Sequence, residues 1–400
     1  MLPWVLIVML LNERETLERV LQSVQSPAVE TVPIWESRDR VLAQDVVATL
    51  ALPRFDNSTM DGYAVRAEDA VRGSRLVVGG EQAAGPDLGL SVAQGQAIRI
   101  YTGAPIPRNA DAVLMQEDAD FRDGVILVRE SVTRGENIRL RGGDLCEGQK
   151  VASAGSVLRG PQLAAIASQG LTELPVFRRP RVAVLATGSE LRSQGEAVNS
   201  GEIYETNRIM LADLVAGSGS DSRIFDIVLD TEEAHLKSFE LARDYDAIVV
   251  AGGVSVGEKD LVKSTLQKLG AKLDLWRVAV KPGKPFMFGR LGRTLVFGLP
   301  GNPVSAYVTF LLFARPALWK LGGRSSLDLP YARARLAEDL VNRGERTHYL
   351  RGICKEGIFK PVGRQESHAL FALSQANALC RLEPDQTIAA DSLVDVIPLF

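Results

Sequence analysis

The sequence predicts a multidomain protein of class α/β plus β, and three observations lead there. First, the runs "RVAVLATGSEL", "DAIVVAGGVSVG" and "TLVFGLPGNP" are apolar, end in glycine turns and alternate with helical segments. That is the pattern of buried parallel strands covered on both faces by helices. Second, residues 53–144 and 326–400 read as short strands cut by Gly, Pro and Asp turns. Third, 400 residues exceed what one hydrophobic core usually serves.

Taken in order, Met1 to Leu11 ("MLPWVLIVMLL") is almost wholly apolar. It is far short of the ~20 residues of a spanning helix, and it lacks the basic leader and cleavage site of a signal peptide. The expectation is that it packs on the body or on a partner subunit, or reflects an early start. Asn12 with Glu15 three residues on forms a capping pattern, and Leu17, Val20, Leu21 and Val24 share one face, so residues 13–25 are expected to be helical. Residues 33–52 look extended, with "RVLAQDVVA" as a strand. "RLVVGG", "AIRIYTG", "AVLMQED" and "VILVRE" supply the strands of 53–144. Residues 145–178 bridge, with a helix from Pro161 to Gly170 closed by its glycine. After Pro180, helices are expected near 204–216, 231–243, 259–269 and 304–319.

Apolar residues make up 46% and charged residues 24%, and the net charge is −3, so nothing global suggests a nucleic-acid binder. Three scattered cysteines form no disulfide framework or metal pair, which fits a reducing cytoplasm. The three histidines form no zinc-type cluster.

In an open parallel sheet, ligands sit at the carboxyl ends of the strands. All three apolar strands end there in glycine loops: Thr187-Gly188-Ser189-Glu190, Gly252-Gly253-Val254-Ser255-Val256-Gly257 and Gly298-Leu299-Pro300-Gly301-Asn302-Pro303. Each alone is most simply a tight strand-to-helix connection; together they have the parts of an anion pocket. None matches a P-loop or a dinucleotide fingerprint, which disfavours nucleotide triphosphatases and nicotinamide enzymes. "WRVAVKPGKPFMFGRLGR" carries Arg277, Lys281 and Lys284 with no acid, and the Pro-Gly bend holds the two lysines together. Fixed cations suit phosphate or another oxyanion. Glu190, Asp230, Asp246 and Asp260 fall near strand ends or helix starts, and carboxylates with retained waters are what Mg²⁺ takes. Earlier in the chain, "FDNSTMDGYAVR" packs Asp61 beside Gly62, "RIYTGAPIPRNAD" offers Thr102, and "ENIRLRGGDL" groups Arg139, Arg141 and Asp144.

"DNSTMDGYAVR", "YTGAPIPRNADAVLMQE", "ENIRLRGGD", "LATGSEL", "IYETN", "GGVSVGEKD", "KPGKPF" and "LPGNPVSA" occur in one order, and with them the chain closely resembles the MoeA family of molybdopterin molybdenumtransferases, which includes the gephyrin E-domain. The resemblance covers roughly residues 12–400. It implies insertion of molybdate into adenylated molybdopterin with release of AMP, dependent on Mg²⁺ or another divalent metal. It implies an elongated chain of four parts: a split N-terminal domain (1–52 and 145–178), a β-rich domain (53–144), a MogA-like three-layer α/β domain that binds molybdopterin (179–325) and a C-terminal β-barrel (326–400). It also implies a cytoplasmic homodimer with the site shared between subunits, working with a molybdopterin adenylyltransferase and other cofactor-biosynthesis proteins, and no nucleic acid or membrane.

Carried residue by residue, the resemblance gives Asp61, Thr102, Glu190 and Lys281 catalytic roles. Glu190, Asp230 and Asp260 would serve the metal. Arg139, Asp144, Arg277 and Lys284 would hold substrate, as would Gly252, Gly253 and Ser255 of one loop and Pro300, Gly301, Asn302 and Pro303 of another. Arg351 and Ser367 would join them from the C-terminal domain. Arg277 stands where many members are expected to carry Lys. Two rival functions fit parts of the chain. A molybdopterin adenylyltransferase would need only the α/β domain, and a non-catalytic molybdopterin-binding scaffold would not need the full set of acids and cations.

Overall fold

A computed structural model of the chain describes residues 10–25, 27–254 and 261–399. Two compact units emerge: residues 1–44, 154–159 and 173–400 form one, and residues 45–153 and 160–172 the other. The larger unit is built on a seven-stranded sheet in the order Leu10–Leu11, Lys272–Val278, Pro285–Leu291, Thr294–Leu299, Ala247–Ala251, Arg181–Ala186 and Asp221–Ile224. The last four of these run parallel. Their side chains split by alternation, as a period of two requires. Val182, Val184, Val249 and Phe297 join one core with the helices Asn207–Gly217 and Pro303–Thr309. Ala183, Leu185, Ile248, Val250 and Val296 join a second core with Glu232–Ala242 and Leu261–Lys268. The expected three layers are therefore present.

The sheet is not parallel throughout. Pro285–Leu291 runs antiparallel to both Thr294–Leu299 and Lys272–Val278. Only Gly292 and Arg293 separate the first pair, and a two-residue loop can join only antiparallel strands. The fourth parallel strand, Asp221–Ile224, is exposed along its whole length, so it carries no apolar run for a sequence reading to find. The N-terminal helix spans Glu13–Gln22, and Asn12 Oδ1 accepts from the Glu15 N–H at 2.8 Å. Leu11 just before it is buried beside Val278, while Leu10 is half exposed. The expected 304–319 helix is a stack of Pro303–Thr309, a π turn at Phe310–Ala314 and Arg315–Leu321.

In the same unit, Thr347–Lys355, Ile358–Pro361, Ala332–Leu336, Leu393–Pro398 and Ala378–Leu382 pair in that order, and the last pairs back to the first. This closes a five-stranded C-terminal barrel. Val280–Lys281 adds to it in parallel register, Val280 opposite Thr347 and Lys281 opposite His348. That addition ties the lysine turn to the barrel.

The smaller unit holds a six-stranded sheet in the order Ala112–Met115, Gly62–Val65, Gln96–Ile100, Arg75–Gln82, Val125–Val128 and Ala119–Arg122. Of the expected "RVLAQDVVA" strand only Val46–Val47 is a strand, paired with Lys150–Ala152. Among the described residues, no helix is long and apolar enough to cross a membrane.

Candidate functional site

The loops that leave Arg181–Ala186, Ala247–Ala251 and Thr294–Leu299 line a cleft of about 1320 Å³ in the larger unit. Its floor depends on close backbone approach. Thr187 N–H donates to the Ala251 carbonyl, and Gly252 N–H to the Leu299 carbonyl, each at 3.0 Å. Gly252 and Gly253 both have positive φ. A Cβ on Gly252 would lie 2.7 Å from the Thr187 carbonyl oxygen, and one on Gly253 2.3 Å from Val262. Only glycine lets the three strand ends meet here.

The Leu299-Pro300-Gly301-Asn302-Pro303 turn is pinned from two sides. Asn207 Nδ2 donates to the Gly301 carbonyl at 2.8 Å. Asn302 Nδ2 donates to Ser367 Oγ at 3.0 Å, and Val304 N–H donates to the Ser367 carbonyl at 3.1 Å. Pro300, Gly301, Asn302 and Ser367 therefore share one wall, while Pro303 opens the next helix just beyond the lining.

Charge divides the cleft. Glu190 and Asp230 are its acids on the α/β side. Asp230 Oδ2 accepts from Ser189 N–H at 3.0 Å, and Ser189 Oγ accepts from Asp230 N–H at 3.1 Å, so these two loops grip each other. Lys281, Lys284 and Arg346 supply cations, and among the described residues none of the three has an ion-pair partner. His348 lies buried beside them. Its burial, with Lys281, Arg351 and Arg346 nearby, pushes it down to about 4. Ser255 and Asp260 lie outside the described residues. Among the described residues, no group of three or more acids, histidines or cysteines is placed to hold a metal.

Three expected residues sit elsewhere. Asp246 lies at the opposite strand end, bonded to Arg178 (2.8 Å) and to the Arg181 N–H (2.7 Å). Arg277 pairs with Leu10 and Pro285 in the sheet and does not line the cleft. Arg351 is fully buried and is not among the residues that line the cleft. Its Nη2 donates to the carbonyls of Arg364 and Glu366, and its backbone pairs with the Gln365 amide at 2.9 and 3.0 Å. It braces the loop that carries Ser367. Thr187 of the first glycine loop lines the cleft as expected, whereas sequence reasoning missed Arg346, Gln365, Glu366 and His368 in the lining. Gln365, Glu366 and His368 lie beside Ser367, which it did name; Arg346 had no such signal.

In the smaller unit, Asp61 Oδ1 accepts from both the Thr102 N–H and the Thr102 hydroxyl at 2.8 Å. Those bonds, with Arg99 nearby, hold the exposed Asp61 carboxyl below its ordinary range. The structure thus joins two residues that are 41 apart in the chain. Arg139 pairs with Asn57 in a two-residue ladder, and the Asp144 N–H donates to the Leu52 carbonyl; both side chains are exposed.

Three family models match in chain order: the MoeA N-terminal region (domains I and II) at residues 11–170, a probable molybdopterin binding domain at 183–320, and the MoeA C-terminal region (domain IV) at 333–399. The molybdopterin molybdenumtransferase of Haemophilus influenzae is 36% identical over 390 residues, 95% of this chain and 96% of its own. The chain belongs to the MoeA family. Molybdopterin molybdenumtransferase 2 of Mycobacterium tuberculosis is 37% identical over 377 residues, 89% of this chain and 91% of its own. The crystal structure of a molybdopterin biosynthesis MoeA protein from Pyrococcus horikoshii aligns with a TM-score of 0.84 at 29% identity, over 98% of this chain and all of that one. Family membership places the chain in molybdenum cofactor biosynthesis as a transferase, and the cleft lies within the segments matched to the molybdopterin-binding and C-terminal regions.

Proposed function

We propose that this chain inserts molybdate into adenylated molybdopterin, with the phosphoanhydride broken, AMP released and the adenylyl phosphorus gaining an oxygen. The observation that carries the reading is one cleft with Glu190 and Asp230 on its α/β side and, on another part, Lys281, Lys284 and Arg346, none of them ion-paired among the described residues. Phosphoryl chemistry needs positioned charge more than a protein nucleophile. Lys281 and Lys284 hold the anionic groups of the substrate, and the wall of Pro300, Gly301, Asn302 and Ser367 excludes water from one side.

Mg²⁺ fits the donor set. It usually takes one or two carboxylates, substrate phosphates and several waters rather than a full protein cage. Glu190 and Asp230 would hold it, with Asp260 of the same motif set as a third acid. When bound it supplies positive charge to the phosphoanhydride oxygens. We propose further that the protein is a cytoplasmic homodimer with its site shared between subunits. Asp61 and Thr102, with Arg139 and Asp144 beside them, then take part from the smaller unit, and a molybdopterin adenylyltransferase supplies the substrate.

The test is AMP release from adenylated molybdopterin by Glu190→Gln and Asp230→Asn, with and without EDTA. Folded variants that release AMP at the wild-type rate, or full activity in EDTA, would remove the assignment.

A further inference from the structure

A second cavity of the larger unit lies apart from the cleft, and no described residue lines both. It measures about 390 Å³, within the about 300–1,000 Å³ of small-molecule sites. Helices Asn207–Gly217, Pro303–Thr309, Arg315–Leu321 and Leu370–Gln375 border it. Met210, Leu214, Leu370, Leu373 and Leu399 give it apolar walls. Two polar groups interrupt them. Tyr307 is only 5% exposed, and its hydroxyl is buried with no hydrogen-bond partner among the described residues. Arg315 lies close enough for its charge to act on that phenol. Its Nε is buried without a partner too, and among the described residues no carboxylate pairs with its guanidinium. Buried donors left unmade are costly, and a ligand that accepts from them recovers the cost. Burial pushes the phenol up to about 12, so it remains an O–H donor at neutral pH.

The charge pattern selects the head group of such a ligand. One guanidinium fork and one hydroxyl match the two oxygens of a carboxylate. The exposed Asp213 also lines the cavity, and its charge disfavours a dianion such as a phosphate monoester. The apolar walls take a hydrocarbon or aromatic body. We propose that this cavity binds a small monocarboxylate with an apolar body, its oxygens accepting from the Tyr307 hydroxyl and the Arg315 guanidinium. The site stands apart from the transferase reading, because it uses none of the cleft residues.

The experiment is ligand-observed NMR titration of the full-length protein with phenylacetate and, separately, with its uncharged amide, phenylacetamide. Wild type, Tyr307→Phe, Arg315→Gln and the cleft control Lys281→Gln are compared. A charged hydrogen-bonded contact corresponds to about tenfold or more in affinity. The wild type is expected to hold phenylacetate more tightly than the amide by about that factor. Tyr307→Phe and Arg315→Gln are each expected to weaken phenylacetate about as much, and Lys281→Gln to bind it as wild type. Tyr307→Phe removes only an unpaired hydroxyl, so it is expected to keep the fold. If circular dichroism shows Arg315→Gln unfolded, Tyr307→Phe decides. No phenylacetate binding by the wild type, as when a second copy of the chain covers the mouth, would overturn the site. So would equal binding of the amide, wild-type affinity in either folded cavity variant, or a matching loss in Lys281→Gln.

Discussion

Replacing Arg351 with methionine is expected to spare the fold and damage substrate handling. Arg351 is fully buried, and its Nη2 donates to the carbonyls of Arg364 and Glu366. Hydrogen bonds from a charged group contribute about 1.5–3 kcal/mol each, so their loss alone would be severe. Against that, Nε and Nη1 have no partner among the described residues, and burial pulls the guanidinium below its ordinary pKa. Exchanging a buried charge for an apolar side chain of similar volume is commonly neutral or stabilising by about 1–4 kcal/mol. Taken at mid-range, about 4.5 kcal/mol for the two bonds against about 2.5 kcal/mol regained, the effects leave a net loss of about 2 kcal/mol. The backbone of residue 351 also keeps its bonds to Gln365, so the loop is loosened rather than released. At about 2–4 °C per kcal/mol for a unit of this size, Tm should fall by less than about 10 °C. Gln365 to His368 line the cleft, so their loosening should lower kcat/KM by about 10- to 100-fold, mainly through KM. Differential scanning calorimetry with steady-state AMP release measures both. Unchanged kcat/KM would refute the bracing role, and a far larger fall in Tm would refute the offset.

Other expectations follow from single contacts. Thr102→Val removes the hydroxyl bond to Asp61 but keeps the N–H, so the Asp61 pKa should rise toward 3.8, read by NMR titration; an unmoved value contradicts the assigned cause. His348 is depressed from 6.5 to about 4 in the folded state, so the unfolded chain binds the extra proton first. Its share of stability is present above about pH 6.5 and is lost as pH falls toward 4. His348→Phe should therefore flatten the fall of Tm between pH 7 and 4.5, and an unchanged slope counts against it. A Cβ on Gly62 would lie 2.0 Å from the Leu114 carbonyl oxygen, so Gly62→Ala should destabilise the smaller unit by about 1–3 kcal/mol or more, visible as faster proteolysis within residues 45–153.

Much of this was legible because physics writes it locally. The apolar runs at 181–186, 247–251 and 294–299 are strands buried on both faces, and a two-sided core demands such runs. The Asn12 cap and the glycine loops follow from backbone geometry at single residues. What escaped notice was non-local or polar. Asp221–Ile224 is an edge strand without an apolar face. Of the loop at 365–368 only Ser367 was expected, since its neighbours reach the cleft through closure of the barrel beside the sheet, and Arg346 lines it because one strand of the lysine turn joins that barrel. The burial of Arg351, which lets it brace the loop through the Arg364 and Glu366 carbonyls, cannot be seen in a one-dimensional pattern.

In the proposed reaction, Glu190, Asp230 and the cations at 281, 284 and 346 act as one site that breaks a phosphoanhydride as molybdenum is inserted. The most direct measurement incubates the protein with adenylated molybdopterin and Mg²⁺, with and without molybdate, and follows AMP. The account expects AMP release that depends on molybdate and matches the molybdenum incorporated mole for mole. No molybdate-dependent release from folded protein, or accumulation of adenylated pterin from molybdopterin and ATP instead, would contradict it.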